Sequence, residues 1–488
     1  MMKITQLTLH NVGRFTSLEV PIAPTSDNPS NVTVLVGNNG AGKTSILQAL
    51  ATSLSWMVSR IRSEKGSGSS LSENLITNES TSAAITLAVK AAVIGAEEKE
   101  YNWTLAKARS GMIGEYTSLL NSASVLANYY RTLLTQHRKS SLPLIAFYPV
   151  ERSVLEIPLK IKNKHAFQQI DGYDHALNQG VDFSRFFEWF RTREDIENEN
   201  DKTVLSDFLD EDFENRLQIL ADIENADERV DKLEPLDFKG LGEEFKKLKS
   251  AIKLMQDIQD KSKEARDPQL NAVRAAIAAF MPGFEGLQVR RKPRVHMTVE
   301  KNGETLNVMQ LSQGEKSLMA LVGDIARRLA MMNPTLENPL YGQGVVLIDE
   351  VDMHLHPSWQ RGIIDRLTTT FPHCQFILTT HSPLVISDCK NVLVYSLDDG
   401  ELSVVPSLYG QDANSVLLDV MDTDIRNAKI ATQLNDLLDL IQKKQLNQAR
   451  SLLEKLMEDL PANNLELSKA RLLLRKQELR IEKNHEEQ

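Results

Sequence analysis

Gly37-Asn38-Asn39-Gly40-Ala41-Gly42-Lys43-Thr44 matches the pattern G-x-x-x-x-G-K-[ST] at every fixed position. The chemistry of that spacing is phosphate recognition. Glycines let the backbone N–H groups around Asn38, Asn39, Gly40, Ala41 and Gly42 turn into one concavity. A helix starting near Lys43, Thr44 and Ser45 adds the positive end of its dipole. The Lys43 ammonium reaches the β- and γ-phosphates, and the Thr44 hydroxyl holds Mg²⁺. The pattern therefore predicts binding of ATP or a similar triphosphate, with Mg²⁺. Its surroundings agree: the apolar run 32–36 precedes it as a strand, and Ile46, Leu47, Leu50 and Leu54 follow at helical spacing.

Three further constellations complete a hydrolytic site. Val345, Val346, Leu347 and Ile348 form a short apolar run suited to a buried parallel strand, and it ends in Asp349-Glu350. A carboxylate at such a tip can hold Mg²⁺, and its neighbour can polarise a water. We assign Asp349 to the metal and Glu350 to the general base. A third strand, 374–378, runs into Thr379-Thr380-His381-Ser382-Pro383, where His381 can bond a γ-phosphate or the attacking water. Leu311-Ser312-Gln313-Gly314-Glu315-Lys316 precedes a helical run, and Ser312-x-x-Glu315 reads as a capping box. A capped helix start bearing Ser312 and Gly314 is also an anion site that can face a second molecule's γ-phosphate.

LSQGEK, VVLIDE, DEVDMHLHP and TTHSP resemble the SMC/RecF-like branch of ABC ATPases. Residues 4–15 are similar to that branch's first strand and turn, and the likeness covers about the first 150 residues and 295–396. It implies an α/β, P-loop ABC ATPase head. Two such heads form a homodimer that sandwiches two nucleotides, with assembly beyond the dimer left open. Ser312 and Gly314 of one head then meet the γ-phosphate held by the other. His381 takes the place of the switch histidine, and Asp352 falls at the dimer seam. The family's Q-loop glutamine has no clear counterpart, and the role of Gln136 stays open. More narrowly, residues 142–152, 186–191 and the HLHP tail resemble the PtuA-like ATPases of Septu anti-phage systems, some of them retron-associated. That resemblance implies an ATP-hydrolysing regulatory subunit with a separate HNH nuclease as partner and no nuclease activity of its own. The alternative is a RecF-like DNA-repair ATPase acting directly on DNA. A module that merely holds ATP is disfavoured by Glu350.

These motifs need an ATPase lobe at 1–159, a helical insertion at 160–285, a second ATPase lobe at 286–423 and a helical tail at 424–488. At 488 residues the length suits two or three domains. The net charge of -10 advertises no nucleic-acid surface, although a local basic patch leaves one open. The densest such patch, Arg290-Arg291-Lys292-Pro293-Arg294, reads more readily as a solvated strand entrance. The two cysteines, Cys374 and Cys389, fit a reducing cytoplasm. No apolar stretch is long enough to span a bilayer.

The Gly/Ser-rich stretch 63–72 reads as a mobile surface loop, and Glu194 to Asp201 as a solvated acidic loop. Phe245, Leu248, Ile252 and Met255 suggest a short helical arm rather than a long coiled coil. Asn302-Gly303 marks a tight hairpin. His354 and His356 belong to a short turn rather than to a metal pair, and Asp422 and Asp424 lack the α/β surroundings of a Toprim nuclease. In the tail, Leu434, Leu437, Leu438 and Ile441 make one apolar face and Ala449, Leu452, Leu453 and Leu456 another. Both are offered as docking faces for the partner.

Overall fold

The computed structural model describes residues 2–92, 98–150, 167–178, 183–210, 266–423, 426–461 and 463–486. The chain divides into two compact units, Met1–Gly410 and Gln411–Gln488. The suggested arm around Phe245 to Met255 lies outside the described residues.

The first unit is built on a six-stranded sheet. Its strands are β3 (Val32–Gly37), β6 (Leu144–Tyr148), β10 (Gly344–Ile348), β11 (Cys374–Thr379), β12 (Leu393–Asp398) and β13 (Glu401–Val405), in the order β13-β12-β3-β11-β10-β6. All neighbours are parallel except β12 and β13. Every residue of β6, β10 and β11 is buried, as the near-continuous Val/Ile/Leu runs require of parallel strands covered on both faces. The phosphate-loop strand and both downstream motif strands thus lie side by side, and their C-terminal ends share one edge.

A four-stranded antiparallel sheet, β2-β1-β4-β5, comprises β1 (Lys3–Val12), β2 (Phe15–Pro21), β4 (Ser82–Ala92) and β5 (Glu98–Ala108). Buried residues alternate along its strands: Leu18 and Val20 are buried on β2, and Tyr101, Trp103 and Leu105 on β5. Gln375 of β11 joins the two sheets. Its Oε1 accepts from Ile4 N at 2.8 Å, and its Nε2 donates to Ile4 O at 2.8 Å and Ala23 O at 2.6 Å. This buried amide is fully paired, which removes the cost of burying it.

Helix α1 (Lys43–Arg62) follows the phosphate loop, and α2 (Asn121–Gln136) packs beside it. The stretch 63–72 differs from the mobile loop expected of its composition. Trp56 Nε1 donates to Ser69 O at 2.9 Å and Ser69 N to Ser55 Oγ at 2.7 Å, fastening it to α1. Its small residues permit close approach, since a Cβ on Gly68 would stand 2.5 Å from Trp56 N.

The acidic segment at 194–201 is likewise no loop. It lies within α3 (Phe183–Asp210), with Glu194 and Glu197 buried. Glu194 accepts from Val289 N at 3.0 and 3.1 Å, and Arg274 of α4 (Pro268–Phe280) reaches Glu197 at 2.8 Å. Composition alone reads such a run as solvated, but specific basic partners make burial tolerable. The cluster at 290–294 contributes here, because Arg291 pairs with Glu194 and Asp195. It sits between β7 (Phe284–Arg290) and β8 (His296–Lys301), and β9 (Glu304–Asn307) returns through a turn with Asn302 and Gly303 at positive φ.

Helix α5 (Gln313–Met332) follows, with Ser312 as its N-cap and a complete capping box to Glu315. The rest of the unit holds the short helices α6 (Pro357–Gln360), α7 (Ile363–Thr370) and α8 (Pro383–Ser387).

The second unit contains α9 (Ala413–Asp419), α10 (Ala428–Gln442), α11 (Leu446–Asp459) and α12 (Leu465–Glu486). Leu434, Leu437 and Ile441 of α10 bury against Ala449, Leu453 and Leu456 of α11 and Leu467, Ala470 and Leu474 of α12. The two apolar faces read as docking surfaces are therefore spent on each other, because a unit this small needs its amphipathic stripes for its own core. Among the described residues, no helix is long and apolar enough to cross a membrane.

Candidate functional site

The phosphate loop joins β3 to α1. Gly42, the N-cap of α1, has φ 105°, and its side-chain-free position provides no cap hydrogen bond. A Cβ there would meet the Phe15 ring at 2.4 Å, so only glycine serves both the conformation and the space. The first N–H groups of α1 thus lack a side-chain cap, and no acidic residue stands in its first turn to compete for them. Asn38, Asn39, Gly40 and Thr44 are exposed around this opening, while Ala41 and Lys43 are buried and Ser45 is half-buried. The Lys43 ammonium donates to Gly37 O at 2.8 Å and Asn38 O at 3.1 Å, folded back over the loop. Burial pushes its pKa below the ordinary range, against the pull of Asp349, Glu350 and Asp352.

Asp349 and Glu350 emerge from β10 beside this ammonium. Thr379, the last residue of β11, organises both: its Oγ1 donates to Asp349 Oδ1 at 2.5 Å and accepts from Glu350 N at 2.7 Å. Glu350 takes a positive φ of 45°, unusual for a side chain of its type, so the chain turns sharply where the expected base sits. His381 lies in the same field. Burial and the Lys43 charge lower its pKa, opposed by Glu350, Asp352 and Asp349. The structure thus groups Lys43, Asp349, Glu350 and His381 at the edge where β3, β10 and β11 end. That is the crevice at which open parallel sheets bind ligands.

Asp352 accepts from Thr380 Oγ1, and Ser382 Oγ donates to Gln360 Oε1 at 2.8 Å, tying the segment after β10 to the one after β11. His356 caps α6, its Nδ1 accepting from Ser358 N at 3.3 Å. His354 has φ 61° and turns its carbonyl toward Gly314: a Cβ on Gly314 would come within 2.4 Å of it. Ser312 and Gly314 stand on α5, where the Ser312 hydroxyl donates to Glu315 Oε2 at 2.9 Å and accepts from Glu315 N at 3.3 Å. Gln136, whose role the sequence leaves open, is an exposed residue at the end of α2.

Four features escape a motif reading. Arg14 donates to Gly40 O at 2.6 Å and to Asp399 Oδ1 at 3.0 Å, bracing the loop against the β12–β13 turn. Thr379 links the Asp349 carboxylate to the Glu350 backbone. Lys301 Nζ donates to Glu315 Oε1 at 2.8 Å. Burial opposes the effect, yet Lys301 and Ser312 hold the Glu315 carboxyl below its ordinary range. The fourth is a buried polar knot. Asp324 of α5 accepts from Tyr148 OH at 3.0 Å, Arg327 Nη2 at 2.6 Å and Arg328 Nε at 2.7 Å. Tyr148 O in turn accepts from Asp349 N at 2.9 Å, so the knot joins α5 to the end of β10. Its one visible signal is a run of charges, Asp324, Arg327 and Arg328, inside an apolar helix.

This geometry defines a P-loop ATPase, and the comparisons agree. The AAA ATPase domain family model matches residues 2–386, and the chain belongs to that family, together with the PtuA-like ATPases of retron and Septu type. It is 32% identical over 421 residues to the Retron Ec83 probable ATPase of Escherichia coli, covering 83% of this chain and 73% of that one. It is 30% identical over 437 residues to the Retron Vc95 probable ATPase of Vibrio cholerae serotype O1 biovar El Tor, covering 86% and 79%. The Septu protein PtuA of Bacillus mycoides is 41% identical over 95 residues, 20% of this chain and 12% of that one. Among solved structures, the Smc head domain of Pyrococcus furiosus, with an extended coiled coil, aligns over 84% of this chain and 97% of its own at 16% identity and a TM-score of 0.41.

Proposed function

We propose that this chain hydrolyses ATP between two engaged heads, and that its nucleotide state governs a separate HNH nuclease in an anti-phage system. The observation that carries the first part is the grouping of Lys43, Asp349, Glu350 and His381 around an uncapped helix start. The donors fit the triphosphate: N–H groups of the loop and of α1 take phosphate oxygens, and Lys43 exchanges its two carbonyl partners for the β- and γ-phosphates. Thr44 and Asp349 would hold Mg²⁺, a hard cation that takes oxygen donors and neutralises charge developing on the phosphates. Glu350 takes a proton from the attacking water, with its backbone fixed by Thr379. His381, neutral at ordinary pH, donates to the γ-phosphate or orients that water. Ser312 and Gly314 complete the site across the dimer, Ser312 turning its hydroxyl from Glu315 to the partner head's nucleotide.

The second part rests on the retron and Septu relatives, and on the lack of any group of three or more His, Cys, Asp or Glu placed to hold a metal among the described residues. In this reading the nuclease is restrained while ATP is bound and active once nucleotide is lost. The first test is Lys43→Ala, which abolishes nucleotide binding, set beside Glu350→Gln, which keeps binding and stops turnover. Normal hydrolysis by Glu350→Gln would remove Glu350 as base. For the second part, the chain is co-purified with the product of any adjacent HNH reading frame and nucleic-acid cleavage is followed with and without ATP. Cleavage by the purified chain alone, lost on Lys43→Ala, would overturn the division of labour.

A further inference from the structure

The second unit spends the expected docking faces on its own core but leaves another apolar row outside. Leu465, Leu472 and Leu479 of α12 recur every seven residues and are 65%, 73% and 50% exposed. Seven residues are close to two helical turns, so the three share one face. Leu467, Ala470 and Leu474 are buried on the other side of the helix. Leu473 widens the row.

Among the described side chains, the unpaired charge around it has one sign. Arg471, Lys476 and Arg480 flank the leucines, are exposed, and make no ion pair among the described residues. Among the described side chains of α12, the acids are already committed. Glu466 pairs with Arg426 and Lys469, and Glu478 with Arg450 and Arg475. A second copy of α12 laid on this face would bring like charges together beside the leucines, which disfavours self-pairing. A helix with apolar residues at the same spacing and carboxylates on its flanks would bury the leucines and neutralise the cations at once.

We propose that this face of α12 docks an acidic amphipathic helix of a separate protein. The proposal rests on the reading that this chain works with a partner subunit, and it moves the docking surface from the faces of α10 and α11 to the outer face of α12.

The test uses the full chain and two fluorescein-labelled helical peptides of three heptads. Both carry leucine at the seam; one has glutamate and the other lysine at the flanking positions. The acidic peptide should bind, more weakly as salt rises, and the basic one should not. Leu472→Gln with Leu479→Gln should weaken binding at least tenfold. Arg471→Glu with Lys476→Glu and Arg480→Glu should reverse the preference in favour of the lysine peptide. Equal binding of both peptides, binding of neither, or no reversal would overturn the proposal. So would leucine-dependent sedimentation with anionic vesicles, which makes a membrane surface the occupant, or leucine-dependent self-association, which makes it a second copy. ATPase activity of these variants should equal that of the parent chain, so failure of the hydrolytic reading shows separately in Glu350→Gln.

Discussion

Asp324→Asn keeps the shape of a fully buried side chain and removes its charge. Asp324 has no exposed surface, and Arg327 and Arg328 are only 3% and 2% exposed. Burial alone would raise the Asp324 pKa, yet the guanidiniums of Arg328 and Arg327 bring it from 3.8 down to about 2. At about 1.4 kcal/mol per decade, that drop corresponds to roughly 2–3 kcal/mol of differential stabilisation. The substitution also leaves two buried cations without a counter-charge, for which about 3–5 kcal/mol is the usual cost. We therefore expect the first unit to lose about 3 kcal/mol. Urea unfolding followed by tryptophan fluorescence reads that unit alone, because all four tryptophans, Trp56, Trp103, Trp189 and Trp359, lie in Met1–Gly410. With a urea slope of about 3 kcal/mol/M, the midpoint should fall by about 1 M. The pH dependence has a definite sign. A depressed carboxylate contributes stability above its unfolded pKa and loses it as pH falls through the folded one. The gap between parent and variant should therefore be full above about pH 4 and shrink toward about pH 2. A midpoint shift below about 0.2 M, or a gap that widens on acidification, would refute the account.

Three other outcomes follow from the same geometry. An equal mixture of Lys43→Ala and Ser312→Arg chains should recover part of the ATPase activity, because one of the two mixed sites keeps both halves; none at any ratio, with mixed dimers confirmed, counts against the shared site. Gly314→Ala should lower turnover at least tenfold while nucleotide affinity holds, since its Cβ would stand 2.4 Å from His354 O; unchanged steady-state rates would show that this loop yields freely. The pKa of His381 is lowered by burial and by Lys43, so turnover attributable to this imidazole should stay level down to the ordinary His range and fall only at more acid pH; a limb that moves above pH 6.5 and vanishes in His381→Gln would contradict the sign.

The sequence by itself determined the chemistry and the class of fold. A phosphate loop needs particular residues at fixed spacing, and the runs around it had to be a buried strand and a helix, so β3, β10, β11 and the start of α5 were legible from local pattern. The Asn302-Gly303 turn was legible for the same reason. The tertiary structure decided whatever depends on partners distant in the chain. The run at 194–201 looks solvated until Arg274, Arg291 and Val289 N meet it from 77 to 97 residues away in the sequence. Composition marks 63–72 as loose, but Trp56 and Ser55 hold it. Thr379 became the organiser of Asp349 and Glu350 only because parallel pairing sets β11 beside β10. In the tail, periodicity gave the stripes but not which of them face inward. Helix packing consumed those of α10 and α11 and left Leu465, Leu472 and Leu479 outside, because burial is settled by which surfaces meet and not by the spacing of leucines along one helix.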